Sequence, residues 1–129
     1  MDEPIVLAPG EGEILGASIV KAARPELSLL EFTMEPGASI ASHVHCGHSD
    51  AFYVLEGEIE FEVGGEVVSA RPGSFVLSPP GVVHGLRNAG ETRARLLTLH
   101  APGGVVEDRS RGEQPDTAFY ERHDVFEPE

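Results

Sequence analysis

Between Glu58 and Val63 the residues alternate without a break, with Ile59, Phe61 and Val63 in one set and Glu58, Glu60 and Glu62 in the other. A period of two places each set on its own face of an extended chain, so this run predicts a half-buried β-strand. Gly64-Gly65 follows, and a glycine pair accepts the positive φ angles of a two-residue hairpin turn that sends the chain back along Glu66 to Ala70. The glycines open no helical pattern, which argues against a phosphate-binding loop. The three glutamates are read as a solvated strand face rather than a cation site.

The same cadence runs along most of the chain. Strands are expected over Ile14 to Ala22, Leu27 to Met34, Asp50 to Leu55, Ser74 to Leu77, Val82 to Leu86 and Arg93 to His100. In the last of these, Leu96, Leu97 and Leu99 predict burial on both faces. Glu35-Pro36-Gly37, Arg71-Pro72-Gly73, Ser78-Pro79-Pro80-Gly81 and Asn88-Ala89-Gly90 supply the turns between them. Short strands, turn signals roughly every 8–12 residues and scarce helical periodicity predict an all-β sandwich or small barrel. At 129 residues there is room for one core. The expected single domain has a barrel core over about 14–101, an arm over 1–13 rich in Pro, Gly and acidic residues, and a polar C-terminal extension over 102–129. Phe119-Tyr120 and Val125-Phe126 are the extension's apolar anchors.

A net charge of −13, from 9 Lys and Arg against 22 Asp and Glu, argues against nucleic acid or an anionic membrane surface as partner. A small-molecule substrate is expected instead. No apolar run approaches the ~20 residues of a spanning helix, and Met1-Asp2-Glu3-Pro4 lacks the basic start of a secretory signal, so a cytoplasmic location is expected. The single cysteine, Cys46, excludes an internal disulfide and any four-cysteine zinc scheme. It is read as a small residue with no chemistry of its own.

His43 and His45 are two apart, so on a strand they share a face and can bind one ion together. Asp50 and His84, brought from neighbouring strands, would complete a mixed nitrogen and oxygen site of the kind first-row divalent metals favour. Phe52 and Val54 share the strand face of Asp50 and are expected to form an apolar substrate wall. His100 and His123, each alone in its segment, are given no site role. The Pro79-Pro80-Gly81 corner fixes the entry of the strand that carries His84.

The spacing of these residues is specific. Gly37, five residues, His43-Val44-His45, four residues, Asp50, six residues, Gly57 resembles the first signature of the cupin superfamily, with Asp where that signature has Glu. Gly73, five residues, Pro79-Pro80-Gly81, two residues, His84, three residues, Asn88 matches the second signature. The stretch Phe52-Tyr53-Val54-Leu55-Glu56-Gly57-Glu58 is similar to the single-domain, flavonol-dioxygenase-like branch.

The resemblance implies a double-stranded β-helix, or jelly-roll barrel, often a homodimer, with one divalent ion (Fe, Mn, Ni, Co or Zn) held by His43, His45 and His84. Asp50 stands in the place of the acidic ligand. Being one methylene shorter than Glu, it either coordinates from a backbone set closer to the ion or serves as a nearby acceptor or catalytic base, with His48 or water completing the site. The activity implied is a metal-dependent dioxygenase for an enol, phenol or diketone substrate. A redox-neutral isomerase, lyase or cyclase is the alternative, followed by a non-enzymatic module that binds a small molecule or metal.

Overall fold

A computed structural model describes residues 3–103, and among them ten strands and no helix. They are β1 (Glu13–Leu15), β2 (Ser18–Ala23), β3 (Ser28–Met34), β4 (Ser39–His43), β5 (Ser49–Glu56), β6 (Ile59–Val63), β7 (Glu66–Ala70), β8 (Phe75–Ser78), β9 (His84–Arg87) and β10 (Ala94–Ala101). The anchors Phe119-Tyr120 and Val125-Phe126, together with His123, lie outside the described residues.

The strands form two antiparallel sheets, ordered β1-β2-β3-β10-β5-β8 and β4-β9-β6-β7. Strands distant in the chain lie side by side, β10 between β3 and β5 and β9 between β4 and β6. This interleaving is the winding of a double-stranded β-helix, the jelly-roll architecture expected from the two motifs.

The alternating run behaves as its pattern predicts. Ile59 and Phe61 of β6 are fully buried. Outside, Glu60 pairs with Arg87 at 2.9 Å and Glu62 accepts a hydrogen bond from Ser42 at 2.7 Å. The hairpin turn uses φ of 59° at Gly64 and 85° at Gly65, the mirror-image turn that matches strand twist. Gly57, at a φ of 76°, is needed for a second reason: a Cβ there would meet Arg93 O at 2.7 Å and Ala94 Cα at 2.9 Å.

The expected strand over Ile14 to Ala22 is two strands. Gly16 takes a φ of 59°, which breaks the extended run and folds β1 back on β2 with Glu13 opposite Val20. In β10 the inward Ala94 and Leu96 are fully buried, whereas Leu97 and Leu99 on the outer face are only partly covered. Burial on both faces therefore holds in part.

Register places the interior in layers. Across β3, β10 and β5, Phe32 lies beside Leu96 and Val54, then Leu30 beside Thr98 and Phe52, then Ser28 beside His100 and Asp50. The interior thus passes from an apolar plug to a polar layer at one end. The plug is a cluster including Met34, Phe52, Val54, Ile59, Phe61 and Leu96, and Phe52 and Phe61 meet with ring centroids 5.2 Å apart.

Candidate metal centre

Three elements deliver the polar residues to this end. His43 is the last residue of β4 and pairs in register with His84, the first residue of β9. His45 lies just beyond β4, where its carbonyl accepts a hydrogen bond from Gly81 N at 2.6 Å. The Pro79-Pro80-Gly81 corner therefore braces His45 as well as leading into His84. Asp50 lies in β5, with Ser78 of β8 as its cross-strand neighbour.

The side chains converge on one carboxylate oxygen. His84 Nε2 is 2.8 Å and His45 Nε2 2.9 Å from Asp50 Oδ2, and His43 Nε2 is 3.9 Å away. One donor atom from each of His43, His45, Asp50 and His84 can be chosen so that all lie within 4.8 Å of one another. Asp50 and His84 are almost wholly buried.

The opposite ring nitrogen settles the tautomer of His43. His43 Nδ1 lies 2.8 Å from the carbonyl of Ala41, and His84 Nδ1 lies 3.2 Å from that of Val82 and 2.9 Å from Ser78 Oγ. The Ala41 carbonyl only accepts, so His43 Nδ1 carries the proton and the Nε2 of its neutral ring presents a lone pair, whereas the Ser78 hydroxyl nearest His84 Nδ1 can donate or accept. A lone pair aimed at a carboxylate oxygen repels it unless a cation lies between them. Two or three imidazole nitrogens with one carboxylate are a donor set that suits a divalent ion, and this cluster could bind one.

Burial alone would raise the Asp50 carboxyl, but the imidazoles of His43, His45, His48 and His84 outweigh it and hold the group well below the ordinary carboxylate range. Burial likewise opposes charge on His43, yet Asp50 and the Ala41 carbonyl raise its pKa above the ordinary value. For His100, burial dominates and neighbouring histidines add to it, lowering the pKa to about 4 despite Asp50.

A cavity of about 270 Å³ opens onto the cluster. Leu30, Phe32, Ile40, Phe52 and Leu86 form its apolar wall, while Thr98 and His100 add polar groups beside the candidate ligands. Phe52 lines this cavity. Val54, one layer deeper and fully buried, belongs to the apolar plug and does not line this cavity. His48 is buried at the edge of the cluster, its ring centroid 3.8 Å from that of His45 and its Nε2 3.4 Å from Asp50 Oδ1. Cys46 is exposed and stands outside the donor set.

His100, given no site role from the sequence, lines the cavity with its Nε2 3.4 Å from Asp50 Oδ1. The available signal was period two in β10, because Leu96, Thr98 and His100 share a face that turns polar toward its end. Which end faces Asp50 depends on pairing that the sequence does not display.

Residues 30–100 match the Cupin_2 family, the cupin domain. An oxalate-binding protein of Thermotoga maritima is 30% identical over 93 residues, covering 70% of this chain and 77% of that protein. Polyketide synthase CurC of Streptomyces cyaneus is 33% identical over 54% of this chain and 45% of its own length. Quercetin 2,3-dioxygenase of Bacillus subtilis is 30% identical over 65% of this chain and 27% of its own length. The chain thus spans less than half of the latter two. Among solved structures, a Klebsiella pneumoniae protein with a double-stranded β-helix domain superposes with a TM-score of 0.62 at 30% identity, covering 78% of this chain and 84% of that one.

Proposed function

The chain belongs to the cupin domain family, and on that premise we propose that it is a metal-dependent enzyme acting on a small organic substrate, most directly as a dioxygenase. The observation that carries the metal reading is the convergence of one donor atom from each of His43, His45, Asp50 and His84, all within 4.8 Å of one another. In this reading His43, His45, His84 and Asp50 hold one divalent ion, with His48 the alternative should Asp50 fall short. A divalent ion there supplies Lewis acidity to a substrate oxygen and, if redox-active, a centre for dioxygen chemistry.

The chain's own residues divide the remaining work. Phe32, Phe52 and Leu86 exclude water and favour a planar or apolar substrate body, and the hydroxyl of Thr98 orients it. Asp50 acts as ligand, because its Oδ2 lies among the imidazole nitrogens of His43, His45 and His84. At about 270 Å³ the cavity lies below the usual ~300–1,000 Å³ of ligand pockets, which favours a compact enol or diketone over a three-ring flavonol. The similarity to a quercetin dioxygenase supports oxygen chemistry, and that to an oxalate-binding protein supports a small oxygen-rich ligand.

A redox-neutral isomerase, lyase or cyclase is the second reading, since the same compact site would polarise a carbonyl without oxygen. The test is oxygen uptake by protein loaded in turn with Fe, Mn, Ni or Co, against small diketones, catechols and flavonols. Uptake with at least one pair is expected. Turnover without uptake would transfer the proposal to the redox-neutral class, and absence of bound metal in every loading would overturn both. The family resemblance also carries a homodimer, which sedimentation would report as twice the chain mass.

A further inference from the structure

The two oxygens of Asp50 keep different company. Oδ2 faces the candidate ligands, whereas Oδ1 completes no hydrogen bond and has His48 Nε2 and His100 Nε2 each 3.4 Å away. The His100 side of this arrangement is built into the sheet. Ser28, His100 and Asp50 are cross-strand neighbours on β3, β10 and β5, and Ser28 Oγ lies 3.0 Å from His100 Nδ1 with Ser28 completely buried.

The tautomer of His100 differs from that of His43 for a chemical reason. The Nδ1 of His43 faces the Ala41 carbonyl, which compels a proton there. His100 Nδ1 faces a hydroxyl, which is free to donate. A lone pair on His100 Nε2 would face a carboxylate oxygen, while a proton there is attracted to it. The lower-energy arrangement has Ser28 donating to Nδ1 and a proton on His100 Nε2, which a small turn of the carboxylate brings into hydrogen bond with Asp50 Oδ1.

We propose that Ser28 and His100 are a positioning pair that turns Asp50, the Nε2–H of His100 holding Oδ1 so that only Oδ2 enters the metal centre. This rests on the metal reading above and deepens it. It explains how a carboxylate one methylene shorter than glutamate serves the site, since a short side chain has to be aimed to coordinate through one oxygen. Partners of this kind characteristically change metal affinity by roughly 10–100-fold when removed.

The experiment is a Co²⁺ titration of the full chain followed by its visible absorption, which reports coordination number and ligand type. Wild type should take up one Co²⁺ per chain. His100→Leu, which fills the space without a donor, and Ser28→Ala should each bind Co²⁺ at least tenfold more weakly with an altered spectrum. His100→Gln, which can return an N–H to the place of Nε2, should recover most of the affinity. Ser28→Ala deletes one atom and decides the matter even if His100→Leu fails to fold. Wild-type affinity and spectrum in both His100→Leu and Ser28→Ala would overturn the pair while leaving the metal centre standing. Two Co²⁺ in wild type and one in His100→Leu would make His100 a ligand and overturn it too. No Co²⁺ binding by wild type would overturn the metal reading together with the pair.

Discussion

Asp50 concentrates the chemistry of this chain, because three imidazole nitrogens lie within 3.9 Å of its Oδ2. Asp50→Asn keeps the shape and removes the charge. It is expected to lower divalent-ion affinity at least tenfold by isothermal titration, and an unchanged affinity would remove Asp50 from the ligand set. In metal-stripped protein two histidines drive stability in opposite directions with pH. His43, raised above 6.5, contributes fully below 6.5, and that contribution fades as pH rises through its folded value. His100 does the reverse. Its unfolded form takes a proton near 6.5 and its native form only near 4, so stability falls as pH is lowered across that window, by on the order of 3 kcal/mol. Urea unfolding of wild type and His100→Gln at several pH values between 6.5 and 4 should show a flatter dependence in the variant, and parallel curves would contradict this.

At the scale of elements, the second motif contains residues of two kinds. His84 belongs to the donor cluster, but Asn88 holds loops together. Its side-chain amide donates to Met34 O at 2.9 Å and Thr92 O at 2.8 Å, and its Oδ1 accepts from Gly90 N at 3.0 Å. Asn88→Ala is therefore expected to cost about 2–3 kcal/mol in urea unfolding with metal affinity per folded molecule preserved. A large loss of affinity in well-folded Asn88→Ala would place it nearer the chemistry than the structure does. Strand legibility followed the same division between local and distant causes. The β6–β7 hairpin was readable because alternation and a glycine pair agree. The β1–β2 turn was not, since Gly16 sits in an apolar run that reads equally well as one strand.

At the scale of the whole molecule, the two sheets close an apolar plug beneath a buried polar layer, and an ion would tie β4, β5 and β9 together. Binding to the folded chain alone adds about 2.7 kcal/mol when free ion is at 100 times its dissociation constant. Chelation should accordingly lower the melting temperature of metal-loaded protein, and restored Co²⁺ should recover it. Identical melting with and without chelator would count against a site that spans these strands. Among the described residues no helix is long and apolar enough to cross a membrane.

The sequence by itself determined the class of fold, the positions of most turns and the residues His43, His45, Asp50 and His84, because strand period, turn chemistry and motif spacing are all local in the chain. Only the tertiary structure decided the company of Asp50. Ser28, His100 and Asp50 become neighbours through the pairing of β3, β10 and β5, and register between distant strands is fixed by packing of the whole interior. The doubt about a short carboxylate was therefore not answerable from spacing: its aim depends on a histidine fifty residues away in sequence and one strand away in space.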